Sequence, residues 1–217
     1  SGLSGGNKLT GAGDFSSGVA NLTSLGLKYT GNAGSGTFTA TAVSSMTGTS
    51  GSVTINPGAA DATQSTLTPA SASITATGSS TQVLTVTAKD ANGNLLTAGG
   101  SSVTVTKSSG TGTIGSVTDN SNGTYTATVT SPTATGSGIF VATLGAQPVK
   151  SGTGTQTQAT VTYIPGAADA TQSTLTPASA SITATGSSTQ VLTVTAKDAN
   201  IVTAADLACM KPTALMV

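Results

Sequence analysis

Residues 82–88 read QVLTVTA, with Leu84, Val86 and Ala88 on one face of an alternating pattern and Thr85 and Thr87 on the other. A period of two is the mark of a strand that buries one side. The same alternation recurs on both sides of this stretch. Ser73–Thr77 reads as a short strand, Ser102–Lys107 turns Val103 and Val105 inward, and Gly123–Thr130 alternates Tyr125, Ala127 and Val129 with Thr. Gly138–Leu144 (GIFVATL) is apolar on both faces, as a central strand can be, and Ala159–Ile164 alternates again. Between them lie DANGN, SSGTG and DNSNG, in which Asn and Gly tolerate the positive φ that tight turns need. No helical period intervenes. About seven strands at this spacing predict an all-β fold, an antiparallel β-sandwich of immunoglobulin-like topology.

The strand QVLTVTA belongs to a longer unit. PGAADATQSTLTPASASITATGSSTQVLTVTAKDAN runs from Pro57 to Asn92 and again, unchanged over 36 residues, from Pro165 to Asn200. The offset of 108 is too long for a solenoid repeat and matches one globular domain. Residues 34–42 (GSGTFTATA) align with 136–144 (GSGIFVATL), and both are followed by a Gly/Ser/Thr loop and an NPG or IPG junction. Four segments are therefore expected: 1–56, the C-terminal half of an Ig-like domain; 57–164, a complete domain led by a PGAADA linker; 165–200, the N-terminal half of a further identical repeat; and 201–217, an aberrant tail. The tail replaces the expected GNLLTAGGSS and holds Cys209, which points to a frameshift or an assembly join. The chain opens at Ser1 without Met and reads as an excised piece of a longer protein.

Composition narrows the chemistry. All seven acids are Asp, all seven bases are Lys, and Glu, Arg, His and Trp are absent. A neutral chain with 6% charged residues makes no steering field for nucleic acid, and it lacks the Arg that reads phosphate and guanine. No apolar run approaches the roughly 20 residues of a spanning helix, so no membrane insertion is expected in this segment. Without His or Glu, no Ser-His-Asp set can be assembled, and Cys209 has no His partner. The expectation is a non-enzyme with no catalytic residues and no cofactor.

Calcium is the one ligand with candidate residues: Asp90 and Asn92 in the DANGN turn, Asp119 and Asn122 in the DNSNG turn. Each turn supplies a single carboxylate, against the several that calcium usually takes. The competing reading is that these side chains hydrogen-bond their own backbone and set the turns. Tyr125 and Phe140 fall at inward strand positions, which favours core packing over a carbohydrate-stacking platform.

STLTPASASITATGSSTQVLTVTAKDANGNLLT, then TDNSNGTYTATVTS and a closing TVTYIPG, resembles the bacterial Ig-like domains of the invasin and intimin type. The resemblance covers residues 61–164 well, 165–200 by identity and 15–56 more loosely. It implies an extracellular location on a bacterial cell surface and a structural role, as a spacer or stalk in an adhesin built from tandem domains. Its partners would be neighbouring Ig-like domains of the same chain, or other copies through exposed strand edges. Two alternatives stand beside that one: a glycan- or receptor-binding module, and a filament subunit that exchanges strands.

Overall fold

The computed structural model describes residue 9 and residues 13–25, 31–41 and 47–200; the tail at 201–217, with Cys209, lies outside the described residues. The described residues form strands and no helix: β1 (Gly34–Gly36), β2 (Thr39–Thr41), β3 (Thr47–Thr49), β4 (Val53–Ile55), β5 (Thr66–Thr68), β6 (Ser71–Thr75), β7 (Thr81–Thr87) and β8 (Val103–Gly110). There follow β9 (Thr113–Ile114), β10 (Thr118–Asp119), β11 (Thr124–Thr130), β12 (Gly136–Leu144), β13 (Gln147–Pro148), β14 (Gln158–Ile164), β15 (Thr174–Thr176) and β16 (Thr193–Thr195). The chain divides into two units between Pro57 and Gly58.

Two sheets build the central domain. One runs β10-β11-β7-β5, with β9 also on β11; the other runs β13-β12-β14-β6, with β8 on β12. Leu84, Val86 and Ala88 are wholly buried, and Tyr125, Ala127 and Val129 of β11 lie in the same core. The second sheet contributes Phe140, Ala142, Leu144, Ala159, Val161 and Tyr163 to that core. This is the sandwich that the alternation predicts. The apolar-on-both-faces strand, β12, is central: β8 and β14 both pair with it.

The N-terminal edge departs from a purely antiparallel plan. β5 pairs antiparallel with β7, but β6 pairs parallel with β14. The chain changes sheets at Pro69–Ala70, where proline has no N–H to give either ladder. β5, β9, β10 and β13 are too short to show a period in the sequence.

Tyr163 places its ring in the core and donates its hydroxyl to the Thr111 carbonyl at 3.2 Å. Burial pushes its phenol pKa up. Tyr163→Phe keeps the ring and removes one hydrogen bond, so a loss of about 0.5–1.5 kcal/mol is expected. Urea denaturation reads it, and an unchanged midpoint would mean that water serves Thr111 equally well.

In the first unit β1 pairs β4 with Gly34 opposite Ile55, and β2 pairs β3. The β1–β4 register repeats that of β12–β14, where Gly136 stands opposite Tyr163.

The 36-residue repeat is an internal control on what holds these strands. β15 and β16 keep the β5–β7 register: Thr174 faces Thr195 as Thr66 faces Thr87. Yet β16 has three residues where β7 has seven, and residues 179–183, the counterpart of β6, form no strand. Leu84 is 0% exposed and its twin Leu192 60%; Val86 is 0% and Val194 66%. The sequence is the same and the neighbours differ. β7 lies against β11, and β6 against β14, whereas 165–200 has neither partner among the described residues. Strand propensity here is a property of cross-strand packing and burial, not of the residues alone.

Candidate functional site

What survives in both copies is the linker and the turn it docks on. Asp90 is 2% exposed and is surrounded by donors. Its Oδ2 accepts the Gly58 N–H at 2.8 Å and the Asn94 side-chain amide at 2.9 Å. Its Oδ1 accepts the Asn92 and Asn94 N–H groups, each at 2.9 Å. The linker then runs beside this turn. Ala60 pairs with Asp90 in a single antiparallel bridge, and the Asp61 N–H donates to the Lys89 carbonyl at 2.7 Å. Ser65, wholly buried, donates its hydroxyl to the Asp61 carbonyl at 2.7 Å and accepts the Lys89 N–H at 2.9 Å. The Asp61 carboxylate accepts the Thr63 N–H at 2.7 Å and the Thr63 hydroxyl, closing an Asx turn.

The second copy repeats the arrangement. Gly166 N–H donates to Asp198 Oδ2 at 2.8 Å, Asp169 N–H to the Lys197 carbonyl at 2.7 Å, and the Ser173 hydroxyl accepts Lys197 N–H at 3.1 Å. The linker motif therefore forms whether or not the sandwich around it is complete. The bonds common to both copies span at most 32 residues and lie within the repeated stretch; the first copy adds Asn94 on Asp90 and the N–H groups of Lys150, Gly152 and Ser151 on the Ala62, Thr63 and Ser65 carbonyls.

The electrostatics follow from the donors. The Asn94 side-chain amide, then the Gly58 N–H, hold the Asp90 carboxyl at about 2, well below the usual range. The Thr63 hydroxyl lowers Asp61, and the Thr171 hydroxyl lowers Asp169 in the same way. A carboxyl with a depressed folded pKa stabilises the fold above its unfolded value near 3.8. That contribution is lost as pH falls through the folded value of about 2. Urea midpoints titrated from pH 5 down to pH 2 are therefore expected to fall more steeply for the wild type than for Asp90→Asn. Parallel curves would contradict this role for Asp90.

The candidate calcium residues sit in two separate turns. Asp119 is anchored like Asp90: Oδ2 accepts the Gly100 N–H at 2.7 Å and Oδ1 the Ser121 N–H at 2.8 Å. A Cβ on Gly99 would overlap this carboxylate, so a larger residue there would displace the Asp119 side chain from its place. Asn122 Oδ1 accepts the Thr124 N–H at 3.0 Å and hydroxyl at 2.7 Å, and Asn92 contributes its backbone N–H to Asp90. The Asp90, Asp119 and Asn122 side-chain oxygens accept N–H and O–H donors, and among the described residues no three of His, Cys, Asp or Glu gather. Chelation by EDTA is expected to leave the melting temperature unchanged, and a fall restored by added calcium would assign a cation to these turns.

Sequence reasoning missed the Gly58–Asp90 bond and the Gly100–Asp119 bond. Both join residues too far apart for any local pattern to register.

Comparison with known families matches residues 61–166 to the family described as "Invasin, domain 3". Among solved structures, the chain is similar to invasin, titled a bacterial integrin-binding protein, at 25% identity and a TM-score of 0.55. That match covers 76% of this chain and 32% of invasin, so the chain spans about a third of that structure's length. It is also similar to the Escherichia coli adhesin FdeC, at 28% identity and a TM-score of 0.45, covering 69% of this chain and 45% of that one. A third likeness is to the Yersinia pseudotuberculosis adhesin InvE, at 32% identity and a TM-score of 0.40, covering 54% and 30%. Comparison with curated proteins returns no match.

Proposed function

Since residues 61–166 match the invasin domain 3 family, we propose that this chain is a non-enzymatic spacer in the stalk of a bacterial cell-surface adhesin. Its partners on this reading are the Ig-like domains before and after it in the same chain. The observation that carries it is the folded linker. From Gly58 and from Gly166 onward the backbone is bonded to its own repeat, in both copies. The free chain ahead of the second linker is thereby confined to the residues around Pro165, whose φ is fixed. A spacer needs such a junction, and a string of independent binding modules does not.

The core supports the same reading. Tyr125, Phe140 and Tyr163, the three aromatics of the central domain, are buried, so that domain presents no ring for a sugar to stack on. Its Thr- and Ser-rich surface has no strong charge to recruit a ligand.

One structure similar to this chain is of an integrin-binding protein, and receptor binding is therefore the alternative to test. The immobilised chain is exposed to integrin ectodomains and to a glycan array. No saturable binding is the expected result, and saturable binding to either would overturn the spacer reading. Strand exchange has its own motive, since Leu175, Leu192 and Val194 are exposed where their twins Leu67, Leu84 and Val86 are buried. Light scattering over a concentration series reads it: the spacer reading expects monomers, and strand exchange expects growing assemblies.

A further inference from the structure

At the pole of the central domain where β6 and β14 end, a buried carbonyl meets a side chain of the following repeat. Ala76, directly after β6, is wholly buried. Its N–H donates to the Ile164 carbonyl at 2.8 Å, the last rung between the two strands. Its own carbonyl lies past the ladder, and a buried carbonyl needs a donor. The donor is the side-chain amide of Asn200, at 3.2 Å and 124 residues away.

Asn200 is itself held. Its N–H donates to Asp198 Oδ1 at 3.0 Å, and Asp198, 1% exposed, takes the Gly166 N–H on Oδ2 at 2.8 Å. Gly166 follows Ile164 by two residues. The path from Ala76 to Ile164, along the chain to Gly166, to Asp198, along the chain to Asn200 and back to Ala76 is therefore a closed ring. Three hydrogen bonds and two three-residue stretches of backbone make it, and the Asn200 N–H to Asp198 bond braces the second stretch.

We propose that this ring is a head-to-tail clamp, in which the Asp-Ala-Asn turn of one repeat locks onto the Ala76–Ile164 end of the repeat before it. A single hydrogen bond would leave a pivot, whereas a ring fixes distance and direction together. The Asx turn presents the Asn200 amide already oriented, which lowers the ordering cost of the contact. The partner is another copy of this repeat. The turn that supplies the donor occurs in both copies, at 90–92 and at 198–200, so each repeat carries a donor at its leading end. Donor and acceptor lie on different surfaces, so the contact is heterologous and propagates along an array instead of closing on itself.

The clamp rests on the spacer reading, because it supplies the fixed angle that a stalk requires. Backbone 15N relaxation of the full chain tests it. Fitted to the tumbling of β12, the amides of Gly166, Asp169 and Thr171 are expected to show order parameters near the rigid value of about 0.85. In Asn200→Ala these fall below about 0.6 while the β12 amides stay rigid, because the repeat keeps its own Gly166–Asp198 bond but swings free of Ala76. Asn200→Asp, which keeps the shape and removes the donor, gives the same loss. Unchanged chemical shifts in β12 and β14 verify folding of both variants. Low order parameters in the wild type, or rigid ones in both variants, would overturn the clamp. Saturable receptor binding would sink the spacer reading and leave these order parameters where they are, so the two failures are separable.

Discussion

Phe140→Ala lowers the stability of the central domain by about 3–5 kcal/mol, the range for truncating a buried aromatic ring. Phe140 is wholly exposed to the core and not at all to solvent, on the strand that both β8 and β14 pair with. The ring cannot be replaced by a neighbour moving in, because packed interiors relax only partially around a new cavity. A domain of about 100 residues has about 5–15 kcal/mol in total, so this one change takes a large share. Equilibrium urea denaturation followed by tyrosine fluorescence measures it. A loss under about 1 kcal/mol would mean that the two sheets do not close on Phe140 as described.

The second large effect is at a turn and has its own internal control. Gly123 has φ of +81° and a Cβ placed on it would stand 2.1 Å from the Leu96 carbonyl oxygen. Gly93 has φ of +83° and nothing within 4 Å of the same position. Gly93→Ala therefore reports the left-handed backbone cost alone, about 1–3 kcal/mol. Gly123→Ala adds a backbone overlap that no side-chain rotation can relieve, and it is expected to be the more destabilising of the pair. Denaturation midpoints of the two variants, compared side by side, give the overlap by difference. Equal losses would show that the loop around Leu96 yields freely, against the Ala88–Gly123 and Leu96–Ala88 backbone bonds that hold it.

What the sequence disclosed and what it hid divide along one physical line. Long alternating stretches were legible: Leu84–Val86–Ala88 and Tyr125–Ala127–Val129 are buried as the period of two requires. Thr66–Thr68 was not, because three residues before a proline show no period, and its place in the sheet comes from β7. Nor was the parallel pairing of β6, which depends on β14 arriving some 90 residues later. The repeat makes the point within one chain, since QVLTVTA is a full strand beside β11 and a fragment of one without it. The turns at Asp90 and Asp119 were legible as turns. Their long-range work was not, because Gly58 and Gly100 reach these carboxylates through backbone N–H groups that every residue but proline owns. The linker read as a Pro-led connector; its bonding to Asp90 is what turns it from a connector into part of the domain.

That bonding is the centre of the functional account, and chain length as a function of repeat number is its most direct test. Tandem chains of two, three and four copies of residues 57–164 are measured by small-angle X-ray scattering. The strands of β12, nine residues at about 3.3 Å each, set an increment of roughly 30–40 Å per domain. A stiff spacer lengthens by that constant amount with every copy. A maximum dimension that instead grows with the square root of copy number, as a flexible chain does, would contradict the account.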